Sequence, residues 1–169
     1  FRPEAKNRLK MNFLAKNYDA ALKDALEVLK VEPNNVPYLQ AVGDVYRTKE
    51  SYREAIPYYK KAIELDPNIS DAAYYLAICY ANLGDTENQG AAALEALKRK
   101  TKFVGESYFY LADSLNRQKK FDQAADLYVK ALEIKPDIYG AYNPLSDIYR
   151  SRNEFDKAIA VTRKGLQQY

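Results

Sequence analysis

Three aspartates recur along the chain, each with an arginine three or four residues on: Asp44 with Arg47, Asp113 with Arg117, and Asp147 with Arg150. That spacing puts both side chains on one face of a helix. Each pair therefore reads first as an intrahelical ion pair contributing about 0.3–0.5 kcal/mol. The same guanidinium groups can serve another molecule, because each offers a planar pair of donors to a carboxylate. Proton-transfer chemistry is another matter. The sequence contains no histidine, which removes histidine acid–base catalysis, Ser-His-Asp and Cys-His triads, and the usual zinc sites. There is no Gly-rich phosphate loop, no Cys/His cluster, and no carboxylate set resembling a catalytic pair. The expectation is a protein that binds without turnover and holds no metal or cofactor.

Other reactive groups read as structural. Cys79 is the single cysteine, so no internal disulfide can form. With no adjacent lysine to lower its pKa it is expected to be a buried thiol. Lys98-Arg99-Lys100-Thr101-Lys102 is a basic run that reads as a solvated helix C-terminus, where cations are favoured. Asn68-Ile69-Ser70 matches a glycosylation sequon and also a helix start, with Ser70 as cap. The 16 tyrosines fall mostly on a packing pattern, so core rather than base stacking is expected.

Composition narrows the class further. A 47% apolar fraction excludes disorder, and a net charge of +3 is too small to imply nucleic acid. No apolar run approaches the roughly 20 residues that cross a bilayer. The lone cysteine fits the cytoplasm, with the periplasm as the alternative, and the abundance of Tyr, Asn and Lys points to a bacterial source.

The elements that position these groups repeat. Glu32-Pro33 and Asp66-Pro67 are 34 residues apart, and Lys135-Pro136 follows at two such intervals plus one residue. Tyr18, Tyr52, Phe121 and Phe155 keep the same beat. So do Ala21, Ala55, Ala124 and Ala158. A further small series runs through Ala62, Ala96, Ala131 and Gly165, and another through Gly43, Ala77, Ala112 and Ser146. One register places them all, with a single extra residue near Lys102 to Val104. Within each interval apolar residues recur at helical spacing, for example Leu39, Val42, Val45 and Tyr46, then Tyr52, Ala55, Ile56 and Tyr59. Ser51 with Glu54 fits a capping box between the two helices, and the residue before each Pro ends the second helix. Strand signals are absent. The expected fold is all-α, with helix pairs seated on one another through the small residues.

The series Leu39, Val42-Gly43, Tyr46, Tyr52, Ala55, Tyr59, Ala62, Pro67 resembles the tetratricopeptide repeat position for position. Tyr108, Leu111-Ala112, Leu115, Phe121, Ala124, Tyr128, Ala131, Pro136 is a second close match, and Tyr142, Leu145-Ser146, Tyr149, Phe155, Ala158, Gly165 a third. The resemblance implies a right-handed α-solenoid of stacked antiparallel helix pairs forming one domain over 1–169. The units would be 2–35, 36–69, 70–104, 105–138 and 139–169. Leu9 and Asn12 depart from the motif in the first unit, implying irregular packing there. Thr86, Gln89 and Thr101 depart in the third, and Gly90 weakens its helix, so the linker after it is expected to be a bend or soft point. Pro57 and Pro144 should kink their helices without breaking them. The chain ends show no polar capping helix, which leaves room for self-association end to end.

The resemblance also implies that the first helix of each unit lines a concave groove that holds a protein or peptide partner. Removing the packing stripe leaves Gln40, Asp44 and Arg47 in the second unit, and Tyr74, Ile78 and Asn82 in the third. The fourth contributes Phe109, Asp113, Asn116 and Arg117, and the fifth Asn143, Asp147 and Arg150. Tyr74 and Phe109 are expected as exposed aromatics in mid-groove. Some members of the family clamp a C-terminal carboxylate with Lys and Asn residues. Here those positions hold Lys6, Lys10, Ala41, Asp71 and Tyr75, of which only Lys6 matches, so that specificity is not expected. The alternatives to a free-standing scaffold are a docking domain of a larger enzyme and a self-assembling array.

Overall fold

The computed structural model describes residues 3–168. The outer ends of the first and last expected units, Arg2 and Tyr169, and the side chain of Lys6 lie outside the described residues.

Local sequence accounts for five helical hairpins. The pairs are α1 (Pro3–Leu14) with α2 (Tyr18–Val31), α3 (Val36–Thr48) with α4 (Tyr52–Leu65), and α5 (Asp71–Leu83) with α6 (Thr86–Lys98). They continue with α7 (Val104–Arg117) and α8 (Phe121–Ile134), then α9 (Tyr142–Ser151) and α10 (Phe155–Gln167). A 3-10 turn over Tyr139–Ala141 leads into α9, which holds Pro144 near its start. Pro57 is accommodated inside an unbroken α4.

The turn inside each hairpin is the same device five times. A left-handed residue stands at Lys16, Glu50, Gly84, Lys119 and Asn153, with φ of 57°, 59°, 74°, 62° and 61°. The amide of the residue just after the left-handed one then reaches back to a carbonyl in the last turn of the helix, as in Ser51 to Tyr46, Asp85 to Tyr80 and Lys120 to Leu115. These bonds satisfy carbonyls that a helix end leaves open. This closure replaces the expected capping box: Ser51 makes no side-chain cap bond. Nor does Ser70, whereas Asn35 and Asp85 do cap, accepting from the amides of Tyr38 and Asn88.

The core runs lengthwise through the stack. Each second helix packs on the first helix of its own hairpin and of the next, and first helices approach one another, α3 with α5 and α5 with α7. That proximity puts the first helices on the inside of the curve. The seat for each hairpin pairs residues 16 apart. Gly43 lies under the Tyr59 ring, where a Cβ would come within 2.7 Å. Ala77 shares a buried cluster with Ala93, Ala112 shares one with Tyr128, and Ser146 bonds Thr162 at 3.1 Å. In the first hairpin the sizes are reversed, with Leu9 packed against buried Ala25. A neighbouring pair behaves likewise: Tyr46 meets Tyr58 with ring centroids 5.9 Å apart, while Asn12 donates to Asp24 at 3.0 Å. The departures in the first unit are therefore partly compensated within the hairpin, but α1 packs irregularly as expected, leaving Met11 and Leu14 largely exposed.

The third hairpin also departs for a reason. A Cβ at Gly90 would sit 2.6 Å from the Ser114 Oγ, so glycine lets α6 approach α7, and Ser114 donates to the Thr86 carbonyl at 2.7 Å. Gln89 is fully buried and donates to the Tyr110 carbonyl at 2.8 Å. The expected soft point after α6 is instead strapped. The extra residue is absorbed by a left-handed Lys100, with φ 60°. Arg99 turns inward and donates to the carbonyls of Asp66 and Ile69 at 3.0 and 3.1 Å, and Thr101 is buried beside Asp71. Of the basic run only Lys98, Lys100 and Lys102 are exposed. Cys79 is fully buried, and desolvation pushes its thiol up to about 12. Among the described residues no helix is long and apolar enough to cross a membrane.

Candidate functional site

The inner face is built from α1, α3, α5, α7 and α9, and the expected groove residues fall into three states. Asp44 and Asp113 are held by tyrosines from the following helix. The Tyr59 hydroxyl donates to Asp44 Oδ1 at 2.5 Å, and Arg47 Nε donates to the same hydroxyl at 3.0 Å. Arg47 also stacks on the Tyr75 ring, 4.1 Å from its centroid. Burial raises the Asp44 carboxyl against the opposing pull of Tyr59 and Arg47, and burial with the adjacent carboxylate carries the Tyr59 phenol well above its usual range. Tyr128 and Gln89 approach Asp113 in the same way, at 3.5 and 3.2 Å, with Arg117 at 3.4 Å. These aspartates are more than partners of an intrahelical pair: they tie two helices together.

Asp147 and Arg150 form the second state. Thr162 stands where Tyr59 and Tyr128 stand in their hairpins, so no phenol reaches Asp147. The pair remains an intrahelical contact with both side chains 62% exposed. Asn143 and Asn82 are exposed as expected, with the Asn82 amide donating to the Ile78 carbonyl at 2.9 Å. Gln40, Ile78, Phe109 and Asn116 are half-buried, and Arg117 is exposed.

Tyr74 is the correction. It is 9% exposed, stacked on Phe103 with centroids 4.4 Å apart and flanked by Tyr75 and Tyr110. Desolvation raises its phenol strongly. The lengthened linker after α6 delivers Phe103 onto this ring, a contact that the repeat pattern does not contain. Tyr74 supports the groove floor and presents little surface to a ligand. Phe109 packs edge-on to Tyr110 at 5.2 Å and keeps part of its ring open.

One feature of the inner face was not anticipated. Between α1 and α3 lies an open cavity of about 400 Å³ with an apolar floor of Leu9, Phe13, Leu14, Pro37 and Ala41, and with Lys10, Asn7 and Asp44 at its rim. Lys10 and Phe13 stand one repeat before Asp44 and Arg47, a signal present in the register but obscured by the departures at Leu9 and Asn12. Among the described residues no His/Cys/Asp/Glu group could hold a metal ion.

An inner face of stacked first helices, carried on second helices and closed by identical turns, defines a helical-hairpin repeat solenoid. A tetratricopeptide repeat family model matches residues 41–104, 88–137 and 110–169. The chain belongs to the tetratricopeptide repeat family, whose arrays are protein-interaction modules. It is 32% identical over 123 residues to the probable UDP-N-acetylglucosamine–peptide N-acetylglucosaminyltransferase SPINDLY of Hordeum vulgare, covering 69% of this chain and 13% of that protein. It is 26% identical over 126 residues to the photosystem I assembly protein Ycf3 of Acaryochloris marina, covering 73% and 63%. Among solved structures, MamA superposes with a TM-score of 0.86 at 24% identity, covering 97% of this chain and 89% of that one. YrrB, described as a TPR protein with an unusual peptide-binding site, superposes at 0.81 with 19% identity, covering 95% and 82%. The two solved structures share the stacked helical-hairpin fold. The chain spans 13%, 9% and 15% of the length of three curated relatives it matches.

Proposed function

We propose that the concave face binds an extended or helical segment of a partner protein, without turnover. The observation that carries this reading is the cavity between α1 and α3. Its apolar floor suits one aliphatic or aromatic side chain, and Lys10 and Asn7 stand ready for the backbone or a carboxylate beside it. Along the groove, Gln40, Asn82, Asn116 and Asn143 offer amides to a peptide backbone. Arg117 and Arg150 offer charge at exposed sites, while Asp44, Asp113 and Arg47 hold the shape of the floor. Ile78 and the open part of Phe109 add apolar surface, with Tyr74 beneath.

The test is selection of binding peptides from a random display library, followed by titration of the selected peptides. Phe13→Ala and Arg117→Ala are expected to weaken binding by about tenfold or more, equivalent to about 1.4 kcal/mol. Affinities that survive both changes, with helicity intact, would move the site off the inner face.

A second reading is favoured by the short share of its relatives that the chain spans, SPINDLY among them. On that reading the same groove is the docking domain of a larger enzyme. The length of the complete gene product separates the two.

A further inference from the structure

The third hairpin leaves a pocket on the outer face of the stack. A cavity of about 260 Å³ opens between the parallel second helices α4 and α6, with α5 beneath it. Leu76, Tyr80, Ala91 and Ala92 line its apolar part, above a fully buried Ala73. Lys60, Glu64, Asn88 and Glu95 stand at the rim. All of these walls come from three consecutive helices in the middle of the stack. No residue of the concave groove lines it.

Two alanines open the pocket. At the place of Ala73 the second, fourth and fifth hairpins hold Leu39, Tyr108 and Tyr142, and at the place of Ala92 they hold Tyr58, Leu127 and Val161. In the second hairpin the Tyr58 ring meets Tyr46, with centroids 5.9 Å apart. The equivalent pair here is Tyr80 with Ala92, so the Tyr80 ring has a methyl group where Tyr46 has a second ring. The same crease between α8 and α10, with Tyr142 and Val161 in place of the two alanines, holds only about 130 Å³. The filled creases show what the open one lacks, which is a large apolar or aromatic side chain against Tyr80.

The rim is polarised along the helix axes. Glu64 and Glu95 lie in the last turns of α4 and α6, where the two helix dipoles also favour a cation. Lys60 and Asn88 mark the opposite end, one and two turns back. Glu95 is shared with Arg99 at 2.7 Å. Lys60 and Glu64 are exposed and make no ion pair among the described residues.

We propose that this outer crease docks a helix of a partner protein, parallel to α4, that carries an acidic residue at i, an aromatic at i+4 and a Lys or Arg at i+7. The ring fills the place beside Tyr80 and Ala92, the cation meets Glu64 and the acid meets Lys60. This surface is separate from the concave groove, so each can fail without the other.

The probe is an end-blocked, alanine-based helical peptide with Glu, Phe and Arg at those three positions, titrated into the full chain and followed by methyl chemical shifts. Saturable shifts centred on Leu76, Ala91 and Ala92 are expected. Exchanging the peptide's Phe for Ala should weaken binding at least tenfold. Ala92→Tyr rebuilds the contact that Tyr58 makes with Tyr46, and should abolish the shifts while raising the melting temperature. Ala91→Glu, at an exposed position on the mouth, should abolish them without touching the core. Glu64→Lys should weaken binding about tenfold, and a peptide with Glu in place of its Arg should restore it. Absence of saturable shifts, shifts confined to the concave face, or equal affinity for the peptide lacking Phe overturns the proposal. Binding that survives Ala91→Glu, or Ala92→Tyr in a folded chain, overturns it too.

Discussion

A Cβ placed on Gly43 would lie 2.7 Å from the Tyr59 ring. The two residues face each other across the first and second helices of one hairpin, and the ring occupies the volume that the missing side chain leaves. Elsewhere the same seat is filled by Ala77 with Ala93, Ala112 with Tyr128, Ser146 with Thr162 and, with sizes exchanged, Leu9 with Ala25.

Gly43→Ala should therefore destabilise the fold by about 1–3 kcal/mol through overpacking, although alanine is the better helix former. The loss should shrink when Tyr59→Leu is added, because the two sites are coupled. Urea unfolding of the four members of this cycle provides the measurement. A simple sum of the single effects would show that the seat is not shared.

The Gly90 contact gives a parallel case. Gly90→Ala should cost about 1–3 kcal/mol by driving Ser114 Oγ from its place. Combined with Ser114→Gly it should recover most of that, since the obstructing atom lies 2.6 Å from the added Cβ. Thermal melts of both variants decide it.

Asp44 carries a pH signature. Burial raises its carboxyl above the ordinary 3.8, so the folded state keeps the proton to a higher pH than the unfolded chain does. Asp44 therefore adds most to stability below 3.8. That contribution falls as pH rises through its folded value and is flat above it. Relative to Asp44→Asn, the protein should lose stability across this window. Tyr59→Phe removes a donor to the carboxylate and should extend the window upward, with a further loss of about 1–2 kcal/mol at neutral pH. Denaturant melts from about pH 3 to 7 compare the three proteins. A constant difference at every pH would contradict the assignment.

Arg99 links two inter-hairpin turns through the carbonyls of Asp66 and Ile69. Arg99→Ala should cost about 1.5–3 kcal/mol, and Arg99→Lys should recover little, because an ammonium lacks the planar fork. Faster hydrogen exchange at the Ile69 amide in the Ala variant would locate the loss.

Lys100 is a lysine in left-handed backbone at φ 60°. Lys100→Gly should stabilise by about 0.5–1 kcal/mol by relieving the Cβ clash of that conformation. A lower melting temperature would mean that the Lys100 side chain contributes more than its backbone costs.

The 34-residue beat, the helices and the small residues at their crossings were legible in the sequence, because each depends on neighbours within one or two helical turns or on simple repetition. The single added residue after Ala96 was legible for the same reason. Contacts between residues far apart in the chain decided the rest. Asp44, Asp113 and Asp147 look alike in sequence, yet a tyrosine fifteen or so residues on binds the first two and a threonine leaves the third open. Tyr74 matched the exposed positions until Phe103 came down on it from the lengthened linker. Arg99 belonged to a basic run until the turn between α4 and α5 brought the carbonyls of Asp66 and Ile69 around it. Periodic packing is written locally. The state of a polar or aromatic side chain depends on which partner tertiary structure brings within reach, and on whether water remains.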